Sequence, residues 1–130
     1  KKRKTVSQLK KDGWTLFSTW IRIKDADWKG EVSCVTCGVV KFWKSIQAGH
    51  FLGGSHNAIL FDERNCHPQC YACNISRHGE QLNYYRFMVK KYGEKVVKEL
   101  EELNKQTLQF TTNQLELFII SLKDRLKKYG

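Results

Sequence analysis

Two cysteine pairs restrict this chain more than any other feature: Cys34-Val35-Thr36-Cys37 and Cys70-Tyr71-Ala72-Cys73. A Cys-x-x-Cys loop turns two sulfurs towards one point, and two such loops supply the four thiolates of a tetrahedral zinc site. Any fold must therefore bring residues 34–37 against residues 70–73. Zinc held by four thiolates has no open position, so Cys34, Cys37, Cys70 and Cys73 are expected to bind a structural ion and not a catalytic one. Cys66, the fifth cysteine, lies in an apolar-rich stretch and reads as a small buried hydrophobe. The odd count argues against a disulfide framework. Thiolate ligation implies a reducing compartment, and hence a cytoplasmic protein.

With 130 residues there is room for one domain. Its 41% apolar and 12% aromatic content is that of a globular chain. The apolar runs are too short for a membrane span, and Lys1-Lys2-Arg3-Lys4 has no apolar stretch behind it, so neither a membrane partner nor an ordinary signal peptide is expected. Lys and Arg total 23 against 13 Asp and Glu, a formal charge of +10, with an excess in both halves of the chain. Such a field favours a polyanion, with nucleic acid ahead of a merely solubilising charge.

Periodicity places an amphipathic helix over about residues 5–24, carried by Val6, Leu9, Gly13, Leu16/Phe17 and Trp20/Ile21. Trp28–Cys34 and Val39–Trp43 flank the first knuckle as a short hairpin. Ile46–Leu52 reads as a second extended piece, residues 53–57 as a turn cluster, and Ala58–Cys66 as another strand. Pro68 then precedes the second knuckle. From Asn74 the pattern becomes helical. Leu82, Tyr85, Val89 and Tyr92 mark one stripe, ended by Gly93; Val96, Leu100 and Leu103 mark the next. The last helix is expected to start at Asn113, capped with Glu116, and to carry the stripe Leu115, Phe118/Ile119, Leu122, Leu126 and Tyr129. The fold class is α+β in one domain. Residues 1–27 form a basic N-terminal helix, 28–80 the zinc-ribbon core, and 81–130 a helical C-terminal part.

The order knuckle, strand, turn, strand, knuckle, helix resembles a zinc-braced ββα-metal (HNH-like) nuclease. In such a site a His at the end of the first strand deprotonates water, an Asn on the second strand orients it, and a helix residue holds a divalent ion on the scissile phosphate. His50 in Gln47-Ala48-Gly49-His50-Phe51, Asn65 in Asp62-Glu63-Arg64-Asn65-Cys66-His67, and Asn74 after the last cysteine take those places. His78 follows Asn74 at i+4, a spacing that suits two ligands of one ion. Together with Ser18-Thr19-Trp20-Ile21-Arg22-Ile23-Lys24-Asp25-Ala26-Asp27 and Cys34-Val35-Thr36-Cys37-Gly38, these stretches resemble the phage NinG/Rap recombination endonucleases from about Phe17 to the C-terminus. The resemblance implies an endonuclease dependent on Mg²⁺ or Mn²⁺ that acts on branched DNA such as Holliday junctions and D-loops. His50 would be its general base, Asn65 the orienting partner and Asn74 a metal ligand.

Two positions depart from the pattern. Many HNH sites have Asp immediately before the base, where Gly49 stands here; Asp62 or Glu63 could replace it, or His78 could hold the ion with phosphate and water. Glu80 occupies a place where Asn is expected, as a further ligand or as surface charge. His67 either lines the site or hydrogen-bonds a zinc thiolate, and His56 is expected to face solvent. Trp14, Phe17 and Trp20 read as core before they read as base-stacking platforms. Arg64, Arg77, Arg86, Lys90 and Lys91 are the expected DNA contacts. Resolving a junction needs two symmetric nicks, so a homodimer is expected, with the last helix's stripe either forming the interface or packing on its own domain. A non-catalytic zinc-ribbon DNA-binding module and an HNH nuclease of ordinary duplex remain the alternatives.

Overall fold

The computed structural model describes residues 2–53 and 56–129; Gly54 and Ser55 of the expected turn cluster lie outside the described residues. Helix α1 spans Val6–Ile23 and opens on a capping box, in which Thr5 accepts from the Gln8 N–H and the Gln8 side chain accepts from the Thr5 N–H. Its buried face is Leu9, Gly13, Phe17 and Ile21, the stripe its periodicity predicts. Strands β1 (Glu31–Ser33) and β2 (Val40–Phe42) pair antiparallel around the first knuckle.

Strand β3 (Gln47–His50) pairs antiparallel with β4 (Cys66–Gln69), placing Ala48 opposite Pro68, Gly49 opposite His67 and His50 opposite Cys66. The second strand is therefore displaced from the expected Ala58–Cys66. That segment forms a single helical turn, α2 (Asn57–Leu60), followed by a 3₁₀ turn over Glu63–Asn65. The Asp62 side chain accepts from the Arg64 N–H and closes this turn, a local bond that competes with strand pairing. Pro68 sits inside β4, where its carbonyl accepts from the Val35 N–H and so joins the strand to the first knuckle.

The chain does not enter a long helix at Asn74. Ala72–Ser76 form a π-helical turn, and His78 (φ 54°) and Glu80 (φ 49°) then adopt left-handed backbone that breaks the helical register. Helix α3 runs over Gln81–Tyr92, α4 over Glu94–Asn104 and α5 over Thr112–Leu126. In α3 the buried residues are Tyr84 and Met88, whereas Leu82 and Tyr85 of the expected stripe are exposed. The cap of α5 is Thr111 with Gln114, not Asn113 with Glu116. Asn113 and Glu116 instead receive the Arg3 guanidinium, which ties the N-terminal basic run to α5.

Helix α5 lies along α1. Leu122 joins Phe17, Ile21, Ala48 and Cys66 in one cluster, while Leu115 and Ile119 meet Leu9 in a second. Leu115, Ile119 and Leu122 of the stripe offered as a possible dimer interface are thus buried within the chain's own core, while Tyr129 is exposed. Cys66 is buried there as the small hydrophobe expected. On the other side of the β3–β4 pair, Phe51 packs with Tyr84 and Met88 of α3 and with Val97 and Leu100 of α4. Among the described residues no helix is long and apolar enough to cross a membrane.

Candidate functional site

The two knuckles meet as their spacing requires: one ligand atom from each of Cys34, Cys37, Cys70 and Cys73 lies within 4.8 Å of the others. Among the described residues this is the one group of three or more His, Cys, Asp or Glu side chains arranged to hold a metal ion. Val32 and Ile46 cover it from the apolar side. The donor set fits zinc because the thiols conflict without a cation. The Cys37 thiol is drawn down by the Val39 backbone, yet burial and its three neighbouring thiols outweigh that and push it up to about 12. A divalent ion relieves this conflict by taking all four as thiolates. Arg77, one of the expected DNA contacts, donates from Nη1 to Cys73 Sγ at 3.5 Å and so offsets thiolate charge.

His50 ends β3 and stacks on Trp14 of α1, with ring centroids 4.9 Å apart and planes 25° from parallel. Its Nε2 lies 3.0 Å from the Leu60 carbonyl. A carbonyl only accepts, so Nε2 carries the proton and Nδ1 carries the free lone pair of the neutral ring. Burial lowers the His50 pKa and the Leu60 bond opposes this only in part, so the ring is neutral near pH 7. The ring lines a recess of about 850 Å³ with Lys10, Lys11, Trp14, Asn57 and Leu60.

Asn65 does not touch this imidazole. Its side chain is fully buried and bonds both backbone groups of Leu52, accepting from the N–H at 3.0 Å and donating to the carbonyl at 2.8 Å. It fixes the chain just beyond His50, and the orienting partner is the Leu60 carbonyl. His67 faces the opposite side of the strand pair, in a box of Tyr84, Phe87 and Tyr92. Burial, helped by the charges of Lys91 and Lys24, lowers its pKa to about 3. Tyr84 donates to the Gly49 carbonyl at 2.6 Å, so its oxygen accepts from His67 Nδ1 at 3.1 Å. Tyr92 then donates to Nε2 at 2.7 Å. His67 is therefore a neutral buried link, bonded neither to a zinc thiolate nor to the His50 recess.

Asn74 lines a second recess, of about 340 Å³, with Trp14, Ser18, Arg22, Ile46, Gln47 and Ala48. Its amide donates to Gln47 Oε1 at 2.8 Å, leaving its own oxygen without a hydrogen bond among the described residues. That oxygen faces Gly49, 3.0 Å from where a Cβ would stand, and such a Cβ would overlap Gln69 Oε1. Gln69 is fully buried; its amide donates to Thr36 and to the Gly79 carbonyl, while Oε1 has no partner among the described residues. His50 and Asn74 line separate recesses that share Trp14 as a wall.

The other expected ligands lie apart from this pair. Both Asp62 oxygens are taken by Arg64, which also reaches Glu99, so neither Asp62 nor Arg64 faces the recesses with a free charge. His78 is exposed in its left-handed turn. Glu80 lies 3.7 Å from Arg77. His56 hydrogen-bonds the Gln106 carbonyl at 2.8 Å instead of facing only solvent. Arg86 and Lys90 are exposed on α3, and Lys91 sits over the Phe87 and Tyr92 rings. The sequence reading missed Trp14, Ser18 and Arg22 as site residues. Residues 7, 11, 14, 18 and 22 form one helical stripe of polar, basic and aromatic side chains, and that pattern could have revealed them.

These features define an α+β protein with two small sheets and a four-cysteine centre fit to hold zinc. The chain belongs to the family described as Bacteriophage Lambda NinG protein, which it matches over residues 1–129. Protein ninG of Salmonella phage P22 is 28% identical over 113 residues, covering 85% of this chain and 52% of that protein. Protein ninG of Escherichia phage lambda is 26% identical over the same shares of the two chains. Protein ninG of Enterobacteria phage H19B is 30% identical over 87 residues, 65% of this chain and 40% of that protein. The chain thus spans about half the length of the curated relatives it matches. No solved structure matches it.

Proposed function

We propose that this chain carries the cleavage centre of a DNA endonuclease acting in the cytoplasm of an infected bacterium. The observation that carries the reading is His50: a neutral imidazole, fixed in plane by Trp14 and in tautomer by Leu60, whose free Nδ1 is poised as a general base. A water placed there gives its proton to Nδ1 while its oxygen attacks phosphorus. The new P–O bond forms as the bond to one ester oxygen breaks, and that oxygen leaves with a proton from solvent. The strand pair bearing His50, followed by the turn bearing Asn74, supports an HNH-like ββα reading, although the helix is here reduced to a π-helical turn.

A divalent ion, Mg²⁺ or Mn²⁺, would be held by the free oxygen of Asn74 with phosphate oxygens and water, and would supply charge stabilisation to the phosphate. Among the described residues no carboxylate joins Asn74, so ion binding in this reading depends on the DNA. The substrate of the proposal is branched DNA of recombination, such as a Holliday junction or D-loop, following the resemblance noted above. A homodimer would deliver the two nicks a junction needs.

The test is incubation of the protein with a labelled four-way junction and a matched linear duplex, with Mg²⁺ or Mn²⁺. Junction cleavage that His50→Ala abolishes supports the reading; metal-independent binding without product would sink it. That second outcome belongs to a zinc-ribbon DNA-binding module, a reading favoured by the missing carboxylate at Gly49. Equal cleavage of the duplex would keep the nuclease and remove the branch preference.

A further inference from the structure

The face of α1 that walls both recesses carries Lys10, Lys11 and Arg22 with no acidic partner among the described residues. Asp12 is the one acidic residue in α1, and it is paired with Lys4 at 2.6 Å beside the α1–α5 groove, away from both recesses. On the recess side stand Lys10 and Lys11 next to His50, then Trp14, then Ser18 and Arg22 next to Asn74. Arg22 is the unusual member. Its guanidinium is half-buried, donating from Nε to the Ser18 carbonyl at 3.0 Å, from Nη1 to the Trp43 carbonyl at 3.1 Å, and from Nη2 to Thr19 at 3.4 Å. The Trp43 ring lies beneath it at 5.5 Å.

Those three bonds leave two of the five guanidinium N–H groups free. No carboxylate of the described residues pairs with this cation, and the burial that lowers its pKa is offset by no anion. Taking a charge partly out of water without a counter-ion is costly unless a ligand supplies one. The contrast with Arg64 is instructive, because that arginine has two carboxylates.

We infer that α1 is the phosphate-tracking wall of the cleft: Arg22 grips a backbone phosphate of a DNA strand beside Asn74, and Lys10 and Lys11 follow the same strand past His50. The distance suits the task. Residues 11 to 22 span about 16 Å of helix at 1.5 Å per residue. A strand rising about 3.4 Å per nucleotide places several phosphates in that length. Trp14 stands between the two recesses, where the strand crosses from one to the other. This rests on the reading that a DNA strand lies in the His50 cleft, but it concerns binding and not cleavage.

The test measures binding of a fluorescent four-way junction in the His50→Ala background, without divalent ion, across a series of KCl concentrations. Arg22→Gln should weaken binding about five- to tenfold and lower the magnitude of the log–log salt slope by about 0.9, one phosphate contact. Ser18→Glu is the second variant. A Glu four residues before Arg22 supports the helix and occupies the guanidinium, so it should give the same loss even if Arg22→Gln fails to fold. Arg86→Gln, on exposed α3, should lower the slope less. An unchanged slope in both α1 variants, or a larger loss for Arg86→Gln, overturns the inference. Inorganic phosphate, titrated alone, separates a strand site from a free-anion site. Arg22-dependent protection against heat unfolding by phosphate, without a slope change on DNA, also overturns it. If the wild-type protein never cleaves yet the slope falls, the nuclease reading fails while this one stands.

Discussion

His67 shows how a residue type that suggests chemistry can serve structure. Its pKa of about 3 lies below the ordinary 6.5, so on acidification the unfolded chain takes the proton first. The stability this neutral link contributes is complete above about pH 6.5 and is lost progressively as the pH falls towards 3. Urea unfolding should therefore show a loss of about 2–3 kcal/mol between pH 7 and pH 4.5, and His67→Phe should flatten that dependence. Asn65 acts through the backbone. Asn65→Ala would take away the side-chain partners of the half-buried Leu52 N–H and carbonyl and should cost about 1–3 kcal/mol, measured by the same unfolding. The sequence made both residues legible as important, since polar groups among apolar neighbours need partners. It could not say which side of the strand pair each would face, because that depends on whether β4 begins at Ala58 or at Cys66.

At the scale of elements, the hairpin of β1 and β2 is the part least able to stand alone. Each strand has three residues, and two-stranded hairpins of that size are unstable in water without an anchor. The four cysteines provide it. The protein should bind one zinc per chain by atomic emission, and Cys70→Ser should abolish that binding and melt the hairpin first, seen as early loss of amide-exchange protection over residues 31–42. Helix α1 was legible almost to the residue from its apolar spacing, and the Thr5–Gln8 capping box seen in the structure fixes its start. Helix α3 was not. Tyr84 and Met88 pack against Phe51, Val97 and Leu100, and Tyr84 also donates to the Gly49 carbonyl, while Leu82 and Tyr85 of the apolar periodicity face outward.

At the scale of the molecule, the strand pair β3–β4 is the shared surface on which everything else is mounted. The α1–α5 pair covers one side, the α3–α4 pair the other, and the zinc knuckles close one end through Val35 and Pro68. Leu122 joins the outer helix to this centre, so Leu122→Ala should cost about 2–5 kcal/mol in a single cooperative transition. The α+β class and the meeting of the two knuckles followed from the sequence. What did not follow was the pairing of α1 with the His50 face, because nothing local in residues 6–23 says which strand they will meet.

Gly49 carries a consequence for how this centre can vary. Its missing side chain leaves the space that Gln69 fills, so the two positions are not free to change one at a time. A lineage acquiring Asp at 49 alone would pass through a collision before gaining any carboxylate. Shortening Gln69 alone would open a void under Thr36 and Gly79. The double change Gly49→Asp with Gln69→Ser should be tolerated far better than Gly49→Asp by itself. The two side-chain arrangements would then be separated by a valley that only paired substitutions cross.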